Sequence, residues 1–198
     1  RIGMNAETDG VMRAVYLRDV VKDYSTPDER CDLANRYGCS GIDGIGLGPV
    51  FGAEADSRKK IMIAYGIYSQ PDRKGNDYQV LLQFDPEAVD RFGQPLRQEA
   101  PHHFGPDGCE ARYFLYTGNT NFGVQNLEYD PFTRRWLVAV YVGKKSEFPN
   151  YSLFFIDGTV APVEGELKDR CGERGLLLTL AKGSEEQNGI TGCRFPWG

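Results

Sequence analysis

An internal repeat constrains the fold of this chain more than any other feature of its sequence. The repeat begins at Gly41 and again at Gly123, where a glycine, three alternate apolar positions and a proline coincide. Three segments of the first copy return in the same order in the second: 41–49 as 123–131, 61–65 as 136–141, and 78–85 as 151–157. Because three matches in one order are hard to obtain by chance, we infer that one structural unit occurs twice.

Each matched segment has the properties of a β-strand rather than of a helix. The segments are short, rich in β-branched and aromatic residues, and bounded by Gly, Pro, Asn and Asp. A further strand candidate precedes each copy, at 12–21 and at 111–118, which predicts four strands per unit. The segment RWLVAVYV at 135–142 is apolar on both faces, as is typical of a sheet packed between neighbouring sheets.

This pattern resembles the β-propeller superfamily, through GIDGIGLGP…KKIMIAYGIY…YQVLLQFD and GVQNLEYDP…RRWLVAVYVG…YSLFFID. The resemblance implies an all-β fold of four-stranded antiparallel blades in a single domain over 1–198. One blade would cover 11–85, an inter-blade loop 86–110, a second blade 111–157, and the tail 158–198 would open a third. Propellers close with at least four blades, so the expectation is an incomplete ring, completed by further blades or by self-association.

Composition and charge exclude several classes of protein. Apolar residues make up 40% of the 198 residues, which is enough for a core. The longest apolar run, 136–142, is far shorter than the roughly 20 residues of a membrane span, so no membrane partner is expected. The 23 basic and 28 acidic residues give a net charge of −5 without a basic stripe, so no nucleic-acid partner is expected either.

The five cysteines, at 31, 39, 109, 171 and 193, show no C-x-x-C spacing for zinc or redox chemistry. Cys31 with Cys39, and Cys171 with Cys193, could close two loops in an oxidising compartment, leaving Cys109 over. That interpretation predicts a secreted or periplasmic protein. Five reduced thiols in a cytosolic protein are the alternative.

The predicted inter-blade loop 86–110 contains the only two histidines, His102 and His103. Adjacent residues of a strand point to opposite sides, so the pair is poorly arranged to share a metal, but either histidine could carry a proton near neutral pH. Arg112 and Tyr116 follow on one side of the next strand. These four residues are the predicted catalytic set.

Such a set, without an obvious carboxylate pair, favours proton abstraction beside an acidic group over glycoside hydrolysis. It is similar in residue types to propeller polysaccharide lyases, which implies β-elimination of a uronate-containing polysaccharide. The alternative is a non-catalytic propeller that binds a glycan or a protein.

A second set of polar and aromatic residues is predicted to bind the substrate: Asp43, Tyr65, Asn119, Asn121, Gln125 and Asn126. Asp43, Gln125 and Asn126 are polar positions in otherwise apolar strands, so we expect them to face the channel. Asp43 is also a candidate Ca²⁺ ligand; no other cofactor is expected. Further aromatic side chains could stack on sugar rings, although packing between blades is the stronger expectation for Trp136 and Tyr141.

Overall fold

The computed structural model describes residues 12–37, 40–67, 70 and 72–195. This part of the chain is built mainly from strands, which confirms the all-β prediction. In chain order the elements are β1 (Arg13–Ala14), α1 (Arg18–Ser25), β2 (Ser40–Gly48), β3 (Lys60–Ile67), β4 (Tyr78–Phe84), α2 (Pro86–Phe92), β5 (Gln94–Pro95), β6 (Ala111–Tyr116), β7 (Val124–Asp130), β8 (Arg135–Val140), β9 (Leu153–Asp157), β10 (Val163–Glu166), β11 (Arg174–Leu177), β12 (Glu185–Gln187) and β13 (Ile190–Gly192).

Two sheets form the body of the molecule. Sheet 1 has six strands in the order β10-β11-β6-β4-β3-β2, and all neighbours are antiparallel except the β11–β6 pair. Sheet 2 is the antiparallel meander β7-β8-β9. Two short two-stranded ladders, β1–β5 and β12–β13, lie outside these sheets, and none of the described sheets closes on itself.

The β2–β3 and β7–β8 hairpins pair in corresponding registers. The first skips Asp43 and the second skips Gln125, so each has a β-bulge at an equivalent place. Beyond the bulge, Leu47 pairs with Ile61 in sheet 1, and Tyr129 pairs with Trp136 in sheet 2. Because a bulge bends its strand and increases its twist, the two hairpins have the same local shape.

The strand predicted at 12–21 is wrong for most of its length. Only Arg13 and Ala14 are extended, and helix α1 begins at Arg18. Asp19 in the first turn and Lys22 in the last turn suit the helix dipole, and Val20 and Asp23 lie on its buried side. An apolar run of this length fits either a strand or a short helix, and here packing against sheet 1 selects the helix.

The segment 111–118 is a strand, as predicted, but it does not open the second unit. It forms β6, which pairs antiparallel with β4 and is the fourth strand of the first meander. The long excursion 86–110 therefore interrupts sheet 1 instead of joining the two sheets. Its first turns form α2, where the Asp85 side chain accepts hydrogen bonds from the backbone N–H groups of Glu87 and Ala88.

Within the tail 158–198, the segment 176–181 divides between the two sheets. Its first part lies in β11, beside β6. Its second part runs along β9, where the Ala181 N–H donates to the Phe155 carbonyl at 2.8 Å and the Asp157 N–H donates to the Thr179 carbonyl at 2.9 Å. Sheet 2 thus gains a short fourth segment at its outer edge.

The two sheets pack face to face across a glycine stripe. Gly44, Gly46 and Gly48 of β2 all face sheet 2. A Cβ on Gly46 would lie 2.8 Å from the Leu127 carbonyl oxygen and 2.9 Å from the fully buried Trp136 ring. The glycines therefore let β2 approach β7 and the indole more closely than any side chain would allow.

The opposite face of sheet 1 is covered by α1 and the connector 26–37. Val20 of the helix and Tyr37 of the connector pack against Ile63, Val80 and Leu82. The middle of sheet 1 is consequently buried on both faces, and every residue of β4 is buried, whereas Ile45 and Leu47 of the edge strand β2 remain exposed.

The disulfide joins Cys31 to Cys171, with their Cα atoms 5.6 Å apart. The predicted pairs Cys31–Cys39 and Cys171–Cys193 are therefore wrong; Cys39 itself lies outside the described residues. Within the described chain, Cys109 and Cys193 form no disulfide. The bond fastens the connector to the turn before β11, a contact between residues 140 positions apart that loop spacing did not indicate.

Loss of this cross-link is expected to destabilise the fold. Replacing Cys31 with serine should lower the free energy of unfolding by about 2–4 kcal/mol, because the bond restricts the unfolded chain. Urea denaturation under non-reducing conditions measures the change, with Cys193→Ser as the matched control. Equal midpoints for Cys31→Ser and the wild type would contradict the expectation.

Candidate functional site

The structure divides the predicted site residues between two ends of the sheets. The upper end is where β6 finishes at Tyr116 and β7 begins at Val124. Tyr116 lies there together with five of the predicted substrate-binding residues: Asp43, Asn119, Asn121, Gln125 and Asn126. The excursion that carries His102 and His103 instead enters β6 at the lower end. The six residues of β6 separate the ends by roughly 17 Å.

His103 packs against the segment that leads into α1, and His102 lies against Phe104. The His103 ring lies 4.6 Å from the Tyr16 ring, centre to centre, and Arg18 donates to the carbonyls of His103 and Gly105. His102 Nδ1 accepts from the Phe104 N–H at 3.0 Å. The predicted acid–base groups are thus not brought together with Tyr116.

Arg112 and Tyr65 belong to a buried network beneath α1. Arg112 Nη1 donates to Asp23 Oδ2 at 2.6 Å and to the Tyr65 hydroxyl at 3.2 Å, and Tyr65 itself donates to Asp23. Burial raises the pKa of Tyr65 well above its usual value. Burial alone would lower the pKa of Arg112, but Tyr65 and Asp23 hold it above its usual value. Both predicted site residues therefore anchor the helix.

The network continues toward the disulfide. Arg36 pairs with Glu173, and Arg170 lies 2.6 Å from Asp28 and 3.2 Å from Glu173. Arg170 is almost completely buried. The sequence analysis missed this cluster because its members are far apart in the chain and no local spacing links them.

Several buried tyrosines make stability sensitive to alkaline pH. Burial raises the pKa of Tyr37 and Tyr65, and it raises the pKa of Tyr113 to about 12. Between pH 10 and the folded-state pKa, the unfolded chain releases these protons and the folded chain keeps them. Stability should therefore be intact below pH 10 and fall above it, by on the order of 1.4 kcal/mol per pH unit for each such group.

Denaturant titrations between pH 9 and 12, read by near-UV circular dichroism, measure this loss. Tyr113→Phe should flatten the curve, because phenylalanine has no proton to lose. A free energy of unfolding that stays constant from pH 9.5 to 11.5 would contradict the assignment.

At the upper end, Asn119 and Asn121 hold the loops in place. Asn119 is buried, and its Oδ1 accepts from the Lys144 N–H. The Asn121 N–H donates to the Tyr141 carbonyl at 3.0 Å. Next to them, the buried Lys145 ammonium donates to Asp77 Oδ1 at 2.7 Å. The loops around β7 and β9 are therefore fixed from within.

The other predicted residues at the upper end are more open to solvent than Asn119. They are Tyr116, Asp43, Gln125 and Asn126. The Tyr116 hydroxyl lies 3.2 Å from Lys168 Nζ, at the mouth of a polar cleft. Asp43 and Asn126 are exposed, and Gln125 is half-buried at its bulge. No three His, Cys, Asp or Glu side chains of the described residues come together as metal ligands, so Asp43 belongs to no such cluster.

An open groove of about 580 Å³ lies at the upper end of sheet 2. Its lining residues come from the end of β8, the loop before β9 and the segment after β13: Val140, Tyr141, Val142, Asn150, Ser152, Arg194 and Phe195. Tyr141 is 47% exposed and Phe195 is 48% exposed, so both rings are accessible to a ligand. The expectation that Trp136 packs between the sheets is confirmed, whereas Tyr141 lies on the surface.

The walls of this groove are well fixed. The Asn150 amide donates to the Lys145 carbonyl at 2.8 Å and to the Phe148 carbonyl at 3.0 Å. Ser152 Oγ accepts from the Phe195 N–H at 3.0 Å. On the other side the Tyr141 ring meets the Phe122 ring edge-on at 5.2 Å. A ligand would therefore find its contacts largely preformed.

Comparison of the chain with protein-family models, with curated proteins and with solved structures finds no match. Neither described helix is long and apolar enough to cross a membrane.

Proposed function

We propose that this chain is a glycan-binding module of the β-propeller type, with the groove around Tyr141 and Phe195 as its ligand site. The observation that carries the proposal is the pair of accessible aromatic rings beside the polar side chains of Asn150 and Ser152. Sugars present one apolar C–H face and a rim of hydroxyls. Aromatic side chains cover the first, while fixed polar groups bind the second.

The distribution of the predicted acid–base residues supports binding rather than β-elimination. A lyase needs its proton carrier and its carboxylate partner around one cavity. Here His103 packs on Tyr16 and His102 on Phe104, Arg112 is engaged with Asp23, and Tyr116 lies at the far end of β6. Production of unsaturated uronate, followed by absorbance, would show that a lyase is nevertheless present.

A binding assay with groove variants tests the proposal. Tyr141→Ala and Phe195→Ala should each weaken binding to an immobilised glycan panel by about tenfold, because loss of one stacking ring costs on the order of 1–1.5 kcal/mol. Tyr141→Phe keeps the ring and should retain most of the affinity.

Phe132 supplies the matched control. It is 95% exposed at the tip of the β7–β8 hairpin, at the lower end of sheet 2. Phe132→Ala removes an even more accessible ring without touching the groove, so it should bind like the wild type. A panel on which Tyr141→Ala and Phe132→Ala behave alike would refute the assignment.

The propeller interpretation is supported by the way the sheets pack. Leu127, Tyr129 and Trp136 of sheet 2 lie against the glycine face of sheet 1. At the corresponding positions of sheet 1, Ile45, Leu47 and Ile61 lie on the other face, which α1 partly covers. The packing is thus head-to-tail, which is the arrangement of successive blades in a ring.

An experimental structure tests this interpretation. Strands β2-β3-β4 can be superposed on β7-β8-β9 at the matching residue pairs of the two bulged hairpins. This superposition should need a rotation of about 45° to 90°, which is the angle between neighbouring blades in a ring of four to eight blades. The rotation axis should pass near β2 and β7. A two-fold axis between the sheets would instead indicate an ordinary sandwich.

The disulfide supports an exported protein, because such bonds persist mainly in oxidising compartments. Thiol labelling of the protein isolated from its source under non-reducing conditions tests this: Cys31 and Cys171 should be protected until a reductant is added.

A further inference from the structure

We infer that the groove selects neutral glycans over uronate-containing ones, an inference that rests on the proposed function. The expectation from residue types was the opposite, an acidic polysaccharide with arginine as the charge partner. The deciding observations are the positions and partners of the charged groups around the groove.

Arg194 is the one basic residue among the groove's lining residues. Its Nη1 lies 2.8 Å from Glu185 Oε2, and its Nη2 donates to the Pro149 carbonyl at 2.8 Å. The guanidinium also lies 5.2 Å above the centre of the Tyr151 ring. A carboxylate already lies beside its charge and each terminal nitrogen already has one acceptor, so a ligand carboxylate would have to compete with Glu185 for it.

The neighbouring charges offer a carboxylate no better partner. The buried Lys145 ammonium is directed at Asp77 and two further oxygen acceptors, away from a ligand. Exposed Lys144 lies in the same loop as exposed Glu147, which carries the opposite charge. A bound uronate would therefore lose hydration without gaining an ion pair, which disfavours it.

A neutral sugar suits what the groove does offer. Tyr141 and Phe195 supply apolar faces, and the Tyr141 hydroxyl and the remaining lone pair of Ser152 Oγ supply neutral hydrogen-bonding groups. None of these contacts needs a counter-charge. Binding should accordingly depend little on ionic strength, since screening acts on charge pairs.

Isothermal titration calorimetry with hexasaccharides of matched length tests the inference. The neutral probes are cellohexaose, mannohexaose and xylohexaose; the acidic ones are hexagalacturonate and hexamannuronate. We expect at least one neutral probe to bind at least tenfold more tightly than either acidic probe, and its affinity to change less than twofold between 20 and 500 mM NaCl. Preferential, salt-sensitive binding of an acidic probe would overturn the selectivity while leaving the glycan-binding proposal intact. Absence of binding to both classes, and to the wider panel, would overturn the proposed function itself.

A charge variant gives an independent test. Glu185→Gln removes the partner of Arg194 and should raise the ratio of uronate to neutral affinity at least fivefold, because the guanidinium becomes available to a carboxylate. Glu186→Gln is the matched control: it removes the same charge one residue along β12, where the side chain points to the other side of the strand. Equal ratios in both variants would show that the Arg194–Glu185 pair does not set the selectivity.

Discussion

Replacing Trp136 with alanine is expected to lower the free energy of unfolding by about 3–5 kcal/mol. The indole is completely buried between the two sheets, and its ring contacts Phe51 and Tyr129 as well as the glycine stripe of β2. Its removal leaves a cavity that two strand-built sheets cannot collapse to fill. Urea denaturation read by far-UV circular dichroism measures the loss.

The same contact can be tested from the other side. A Cβ on Gly48 would overlap the Trp136 ring, so Gly48→Ala should be destabilising in the wild type and much less so when Trp136 is already alanine. Gly108→Ala is the control, since an added Cβ there meets nothing closer than Asp19 at 3.7 Å. Additive effects of the Gly48 and Trp136 replacements would mean that the two residues do not touch.

Replacing Asp23 with alanine should cost a similar amount, about 3–5 kcal/mol, for an electrostatic reason. Asp23 is buried and accepts from Tyr65 and Arg112, so its loss leaves the buried Tyr65 hydroxyl without its acceptor and the half-buried Arg112 guanidinium with only Asp19, 3.5 Å away, as a carboxylate partner. Because this acceptor also holds α1 on sheet 1, amide protons of the helix should exchange faster.

Two further variants serve as references for the loss of stability in Asp23→Ala. Asp43→Ala removes an exposed carboxylate from β2 and should change stability by less than about 0.5 kcal/mol. Asp23→Asn keeps an acceptor but removes the charge, so it should fall between the alanine variant and the wild type. An alanine variant as stable as Asp43→Ala would show that the buried network contributes nothing.

The sequence predicted where the strands lie better than it predicted which strands and side chains contact each other. Strands β2, β3, β4, β7, β8 and β9 lie where the repeated segments indicated, because short apolar runs between Gly, Pro, Asn and Asp carry a strong strand signal. The segment 111–118 was also identified as a strand, but its partner was not. Its alternating side chains would fit an inner strand or an edge strand of a sheet equally well. Only the observed pairing with β4 shows which position the strand takes.

The candidate site shows the same division. Asp43, Gln125 and Asn126 are grouped by their equivalent positions in the repeat, and in the structure they lie at the upper end of the sheets, as do Asn119 and Asn121. Arg112 and Tyr65 were assigned to a substrate on residue type alone, yet both face a carboxylate of α1. Tyr141 was assigned to the core because it continues an apolar run, whereas its position past the end of β8 leaves it exposed.

The local sequence pattern therefore determined where the strands lie, how far apart the two hairpins are in the chain, and that the fold is all-β. Each of these depends on residues only a few positions apart. The tertiary structure alone decided that 18–25 is a helix, that Cys31 bonds Cys171, and that aromatic rings from β8 and the tail share one groove. These features join residues tens of positions apart. Their free energy comes from burial and charge pairing across the fold, which no short stretch of sequence contains.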